Sequence, residues 1–229
     1  MRTSPNAPAP PPSEAARRSR RGLWIILSAT VLCGLYMVPL VMKSPKNGPF
    51  VQALGNAKQI GIYLQQFEKM YGTFPSAATA DDVRRRTGTT LAMGTTSSND
   101  YFRQLLASDL IKGGVEQVFY AQGKNRRPPD ENWVGSRALE PGECGFAYIP
   151  GLHSGSPLDF PVVIGPLIHG TDKIDPKPGK GKGVICRVDG TATDANIDRD
   201  GHVMVRGKRL LDPTNPIWGG KPPTLIWPE

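Results

Sequence analysis

The sequence predicts an α+β protein: an N-terminal transmembrane helix, then a domain in which one long amphipathic helix packs on an antiparallel β-sheet meander. Three observations predict it. Residues 22–42 (GLWIILSATVLCGLYMVPLVM) run for 21 positions without a charge. Residues 49–71 repeat apolar side chains at alternating three- and four-residue spacing, the mark of one helix face. Beyond residue 115 the chain divides into short β-rich runs between Gly and Pro, of which the 229 residues hold 26 and 23, as expected for turns and short strands.

Residues 1–21 are rich in Pro and Ala and carry five Arg against one Glu. They predict a disordered basic cytoplasmic tail. The run at 22–42 is long enough, at about 1.5 Å per residue, to cross the ~30 Å hydrocarbon core of a bilayer. Arg17, Arg18, Arg20 and Arg21 precede it. Basic residues stay on the cytoplasmic side, so the expectation is a single-pass inner-membrane protein whose C-terminal domain is periplasmic or otherwise extracytoplasmic. The run is longer than a secretory h-region and no small-x-small site follows it, which favours an uncleaved signal anchor. The lipid bilayer is then the first partner.

A polar linker, 43–48, separates the anchor from the domain at 49–229. In the helix predicted at 49–71, Phe50, Ala53, Ala57, Ile60, Leu64, Phe67 and Tyr71 share a face. Asn47 is the expected cap, Gly72 the expected stop, and Pro75 forbids continuation. Residues 79–96, polar and holding Arg84, Arg85 and Arg86, read as a solvated loop. Residues 97–109 read as a short helix capped by Ser98, with Phe102, Leu105 and Leu106 inward. From 115 to 211 the chain reads mainly as strands and loops: strands at 115–121, 145–149 and 161–164, then a hairpin of 184–188 and 191–197. The hairpin turns on Asp189-Gly190, a pair that favours type I′. Asp200-Gly201 and Gly207-Lys208 are the next turns, before strands at 202–206 and 209–211. Residues 212–229 form a Pro/Gly-rich tail whose Trp218 and Trp227 suit a strap across the sheet.

The net charge of +8 comes from 28 Lys+Arg and 20 Asp+Glu, and half of the excess sits in residues 1–21. No basic stripe interleaved with aromatics appears, so nucleic acid is not an expected partner. Cys144 and Cys186 lie in the exported domain, where an oxidising compartment permits a disulfide; two separate buried thiols are the alternative. Asp194, Asn196, Asp198 and Asp200 alternate before Gly201, which presents oxygens as a calcium loop does. The EF-hand pattern fails because Gly207 occupies its closing position. Calcium at these four residues is the one cofactor the sequence suggests. His153, His169 and His202 lack zinc spacing, 151–155 is not a nucleophile elbow, and 179–183 lacks P-loop spacing. No catalytic constellation emerges, so the expectation is a protein that is not an enzyme.

The stretch NAKQIGIYLQQFEKMYGTFP (56–75) resembles the N-x-K-Q-I-G…Y-x-x-x-Y-G-x-F-P segment of bacterial pseudopilins of the type II secretion class. SSNDYFRQLL, GFAYIPG and the VDGT turn are similar to later segments of those type IV pilin-like proteins. The resemblance implies a pilin-like fold and service as a pseudopilin-like component of a type II secretion or type IV pilus-like system, with other pseudopilins or secretion-system proteins as partners. It also implies a leader-processing site between Gly22 and Leu23. Leu27 stands where the family carries a glutamate that assists assembly, a departure that bears on polymerisation. A solitary anchored binding domain that does not polymerise, and an anchored hydrolase without a recognisable motif, are the alternatives.

Overall fold

The computed structural model describes residues 48–111, 116–132, 134–221 and 223–229. The tail at 1–21, the apolar run at 22–42, the linker up to residue 47, the Gly22–Leu23 site and the Asn47 cap lie outside the described residues. Among the described residues no helix is long and apolar enough to cross a membrane. This corrects the predicted fold class to what the described residues show: an α+β architecture with an antiparallel sheet, in which no described helix could span a membrane. The longest helix among the described residues, α1 (Gly48–Tyr71), would reach about 36 Å, but Lys58, Glu68 and Lys69 make it amphipathic rather than apolar.

Residues Asn47–Glu229 form one compact unit. Helix α1 buries Ala53, Ala57, Ile60, Gly61, Leu64 and Phe67, the stripe the sequence spacing predicts. Gly72, at φ 83°, ends it with its amide on the Glu68 carbonyl. Helix α2 (Ala77–Thr87) replaces part of the loop expected at 79–96. A capping box between Ser76 and Thr79 starts it and Gly88, in the left-handed region, closes it. Its buried face is only Thr79, Ala80 and Val83, too small and polar to register as an apolar period.

Helix α3 (Ser98–Ala107) is capped by Ser97, not Ser98, and every one of its residues is buried. The expected inward face of Phe102, Leu105 and Leu106 is real, but the opposite face is covered as well. Asp100 accepts from the Thr96 hydroxyl and amide, each at 3.0 Å, and pairs with Arg103 at 2.9 Å. Arg103 also donates to the carbonyls of Ala138 and Leu139, and Gln104 joins Thr79 and Ser76. The strand expected at 115–121 is instead a 3-10 turn (Glu116–Phe119). The Asn56 side chain of α1 donates to the carbonyls of Gln117 and Tyr120, both at 2.8 Å, which ties this segment to the helix rather than to a sheet ladder.

Four strands follow as a sequential antiparallel meander: β1 (Ala147–Tyr148), β2 (Pro161–Gly165), β3 (Lys182–Arg187) and β4 (Ala192–Asn196). A one-turn helix, α4 (Pro176–Gly179), leads into β3. The register sets Tyr148 opposite Val163, Ile164 opposite Ile185 and Cys186 opposite Ala192. Side chains alternate between two cores. Phe146, Tyr148, Val184 and Cys186 face α1 and α3; Ala147, Ile149, Ile164 and Ile185 face the C-terminal segment with Val203, Leu210, Ile217 and Trp218. An irregularity between Pro161 and Val163 lets Val162 and Val163 both join the helix-side core.

The β3–β4 hairpin forms as expected but with a different turn. Only Gly190 has positive φ, and its amide bonds the Arg187 carbonyl at 2.9 Å. This is a three-residue loop with glycine at its left-handed position, not the two-residue type I′ turn, which needs two positive φ values. The type I′ geometry occurs at Arg206-Gly207, with φ 52° and 77°. It joins a separate two-stranded ribbon, β5 (Met204–Val205) and β6 (Lys208–Arg209), one residue earlier than the sequence suggested. The tail does act as a strap: Trp218 packs on Phe160 at 5.1 Å, and Ile226 exchanges two backbone hydrogen bonds with Tyr148 at the β1 edge.

Burial pushes the Asp100 carboxyl up, but the hydrogen bonds from Thr96 and Ser97 outweigh it, so it is held below the ordinary carboxylate range. Its contribution to stability is therefore present above about pH 4 and is lost as pH falls through the lower folded value. Asp100→Asn is expected to flatten this acid limb of the urea midpoint. It should also cost about 3 kcal/mol or more at pH 7, because Arg103 loses its buried partner.

Candidate metal centre

The loop between β4 and β5 brings together part of the predicted oxygen set. Asp198, Asp200 and His202 each offer a ligand atom, and these atoms lie within 4.8 Å of one another. Asp194 and Asn196 do not join them. Both lie on β4 with exposed side chains, and Asp194 pairs with Lys182 of the neighbouring strand. The alternation that suggested four converging oxygens is the pleat of a strand, which sends 194 and 196 outward before the chain turns at 198. An acidic cluster able to hold a metal ion is thus present, centred on two of the four predicted residues.

Its geometry is set by a turn. The Gly201 amide bonds the Asp198 carbonyl at 3.1 Å, and Gly201 takes φ 91°. Asp198 Oδ1 accepts from the amides of Asp200 and His202, both at 2.9 Å. Those bonds, the His202 amide first, hold the Asp198 carboxyl below the ordinary range. His202 is the residue that sequence reasoning missed. It is 4% exposed, its Nε2 lies 3.2 Å from Asp172 Oδ1, and its Nδ1 is buried 3.4 Å from Asp198 Oδ1 without hydrogen-bond geometry. Its position two residues beyond Asp200 was visible; its burial was not, because Lys173, on a distant segment, bridges to it. Asp200 is exposed and lies 3.7 Å from Arg209.

A second cluster of Glu116, Asp130 and Glu143 has the same 4.8 Å closeness; no sequence signal joined these residues, which lie on three separate segments. The remaining histidines are engaged elsewhere: His153 Nδ1 accepts from the Gly155 amide, and His169 Nδ1 lies 2.9 Å from the Pro228 carbonyl of the C-terminal strap. At 179–183, Lys180 and Gly181 take positive φ and β3 follows at once, so no phosphate-binding helix N-terminus forms there.

Of the two readings open for the cysteines, the structure has the separate buried thiols. Cys144 and Cys186 are free and buried. Cys144 Sγ meets the Phe146 carbonyl and the Ser98 hydroxyl beneath α3. Cys186 lies on β3 under α1, where a Cβ added at Gly61 would fall 2.7 Å from its Sγ. Each thiol fills its own site in the core.

No family model matches the chain, and neither a curated protein nor a solved structure does so.

Burial pushes the Cys144 thiol up to about 11 and the Cys186 thiol up to about 12. The thiolate is the reactive form, so at pH 8 both should resist a maleimide in the native protein and react fully in denaturant. Peptide mapping checks this, and a linked pair of peptides carrying Cys144 and Cys186 would refute it.

Proposed function

We propose that this protein is a non-enzymatic, pseudopilin-like component of a type II secretion or type IV pilus-like system, working at the outer side of the cytoplasmic membrane with other pseudopilins as partners. The observation that supports this reading best is the use made of residues 56–75, the stretch that resembles pseudopilins. Asn56 holds the 3-10 turn through two carbonyls. Ile60 is fully buried, and Gly61 lets α1 approach Cys186 and the Gly190 turn. Gly72 ends the helix, Phe74 is buried, and the Pro75 carbonyl accepts from Tyr148 of β1 at 2.9 Å. The resembling residues are thus the ones that seat a long helix on an antiparallel meander, which is what a shared fold requires of them.

The outer side of α1 supports the assembly part of the reading. Val51, Ile62 and Met70 are three of the six exposed large apolar side chains among the described residues. Val51 and Ile62, eleven residues apart, fall on nearly the same helix direction. In this reading they are the positions on α1 at which a like subunit would make contact.

Calcium is the cation proposed for the β4–β5 loop, with Asp198 and Asp200 as its carboxylates. Hard cations take oxygen ligands, and this loop supplies two carboxylates, Asp198 and Asp200. Asp198→Asn should lower the calcium stoichiometry measured by titration calorimetry by one; an unchanged stoichiometry rejects calcium at this loop.

Two measurements on the full chain test the main reading. N-terminal sequencing should find Leu23 as the first residue, and an intact Met1 would argue instead for a static, non-polymerising domain. Ile62→Arg should leave the unfolding free energy from urea titration within about 0.5 kcal/mol of wild type while abolishing self-crosslinking between subunits in cells. Unchanged crosslinking would remove α1 as the assembly face.

A further inference from the structure

Glu116 and Glu143 are both fully buried, which is rare for carboxylates without a compensating group. Glu116 opens the 3-10 turn under α1, and Glu143 lies just before Cys144 and β1. Their carboxylates meet that of Asp130, from the long loop at 123–141, within 4.8 Å.

The polar partners are unevenly shared. Glu143 Oε1 faces Arg127 at 3.0 Å and accepts from the Asp130 amide, and its Oε2 accepts from the Glu140 amide. Asp130 accepts from the Asn132 amide and pairs with Arg137 at 3.1 Å. Arg127 and Arg137 are both about half exposed and serve the outer side of the cluster. Glu116 has one bond, from the Leu139 amide to Oε1 at 2.7 Å. Its Oε2 is buried and has no hydrogen-bond partner among the described residues.

A buried carboxylate with a free oxygen beside two others can be relieved by a proton or by a cation. Burial, with repulsion from Glu143, Glu131 and Asp130, pushes the Glu116 carboxyl up to about 7 against the pull of the Leu139 amide. Two oxygens on one calcium ion, at about 2.4 Å each, lie at most about 4.8 Å apart. The donor set is oxygen only, which suits a hard ion and not a soft one.

We propose that Glu116, Asp130 and Glu143 form a second divalent-cation site, of the calcium class, distinct from the β4–β5 loop. The free Oε2 of Glu116 is the oxygen that the ion satisfies. Binding joins three segments: the 3-10 turn held by Asn56 of α1, the loop at 123–141, and the chain entering β1. The ion would fasten the longest irregular part of the domain to its principal helix. This inference stands independently of the pseudopilin reading.

The test uses the full chain in a D198N/D200N background, which silences the other loop. In that background calcium, at matched ionic strength, should raise Tm by roughly 3–6 °C at about ten times Kd, and titration calorimetry should count one ion. Glu116→Gln keeps an oxygen for the Leu139 amide and should remain folded while losing both the shift and the ion. If that variant does not fold, Asp130→Asn at the exposed side should weaken binding by about tenfold or more. The absence of a calcium shift in the background protein, or the same shift after Glu116→Gln, or an unchanged Kd after Asp130→Asn, overturns the proposal.

Discussion

Helix α3 has no solvent face, so the polar side chains of Ser98, Asn99, Asp100, Arg103 and Gln104 must find partners inside the protein. An unpaired buried charge would cost several kcal/mol, and an unpaired amide one to three or so. Asp100 closes the start of the helix itself through Thr96, Ser97 and Arg103, and the other four reach distant parts of the chain. Ser98 donates to the Phe146 carbonyl at the entry to the sheet, and Asn99 and Arg103 take the carbonyls at 138–139. Gln104 binds the start of α2, and Asn99 Oδ1 receives the Glu229 amide at the end of the chain. The order of α2, the irregular loop and the C-terminal strap is thus imposed by the hydrogen-bonding requirements of one ten-residue helix.

The sheet answers a second requirement. Strands β1 and β2 and most of β3 are buried on both faces, so two separate layers must cover them, while the edge strand β4 is partly exposed. Helices α1 and α3 cover one face; the β5–β6 ribbon and Trp218 cover the other. Trp218 donates its indole N–H to the Leu210 carbonyl, so the strap closes without a stranded donor. Ile226 meets the exposed edge of β1, where an open ladder would otherwise remain. The last residues of the chain are structural: the Glu229 side chain accepts from Ser97, the cap of α3, and its backbone is met by Gly142 and Arg126.

The carboxylate clusters show how the same residue type takes different states in one protein. At the β4–β5 loop, backbone amides aimed at Asp198 favour the ionised form. At Glu116, burial and neighbouring carboxylates disfavour it. The first arrangement is local: Asp198, Gly201 and His202 belong to one turn, and an Asp-x-Asp-Gly run foretells it. The second gathers residues 116, 130 and 143 through the packing of an irregular loop, and no spacing rule connects them.

Periodicity and backbone chemistry made the principal elements legible. The stripe on α1, the stop at Gly72, the sequential meander and the β3–β4 hairpin follow from side-chain spacing and glycine placement, which act within a few residues of each other. Only the tertiary structure decided the rest. Helix α2 escaped notice because its buried face is threonine, alanine and valine. The 116–119 segment turned 3-10 because Asn56, some sixty positions earlier, occupies its carbonyls. Cys144 and Cys186 stayed free because α3 and α1 enclose them at separate sites. Asp194 and Asn196 left the acidic cluster because the pleat of β4 points them outward. In each case the deciding contact joins residues far apart in the chain, and a distance in sequence carries no information about which groups a folded core will bring together.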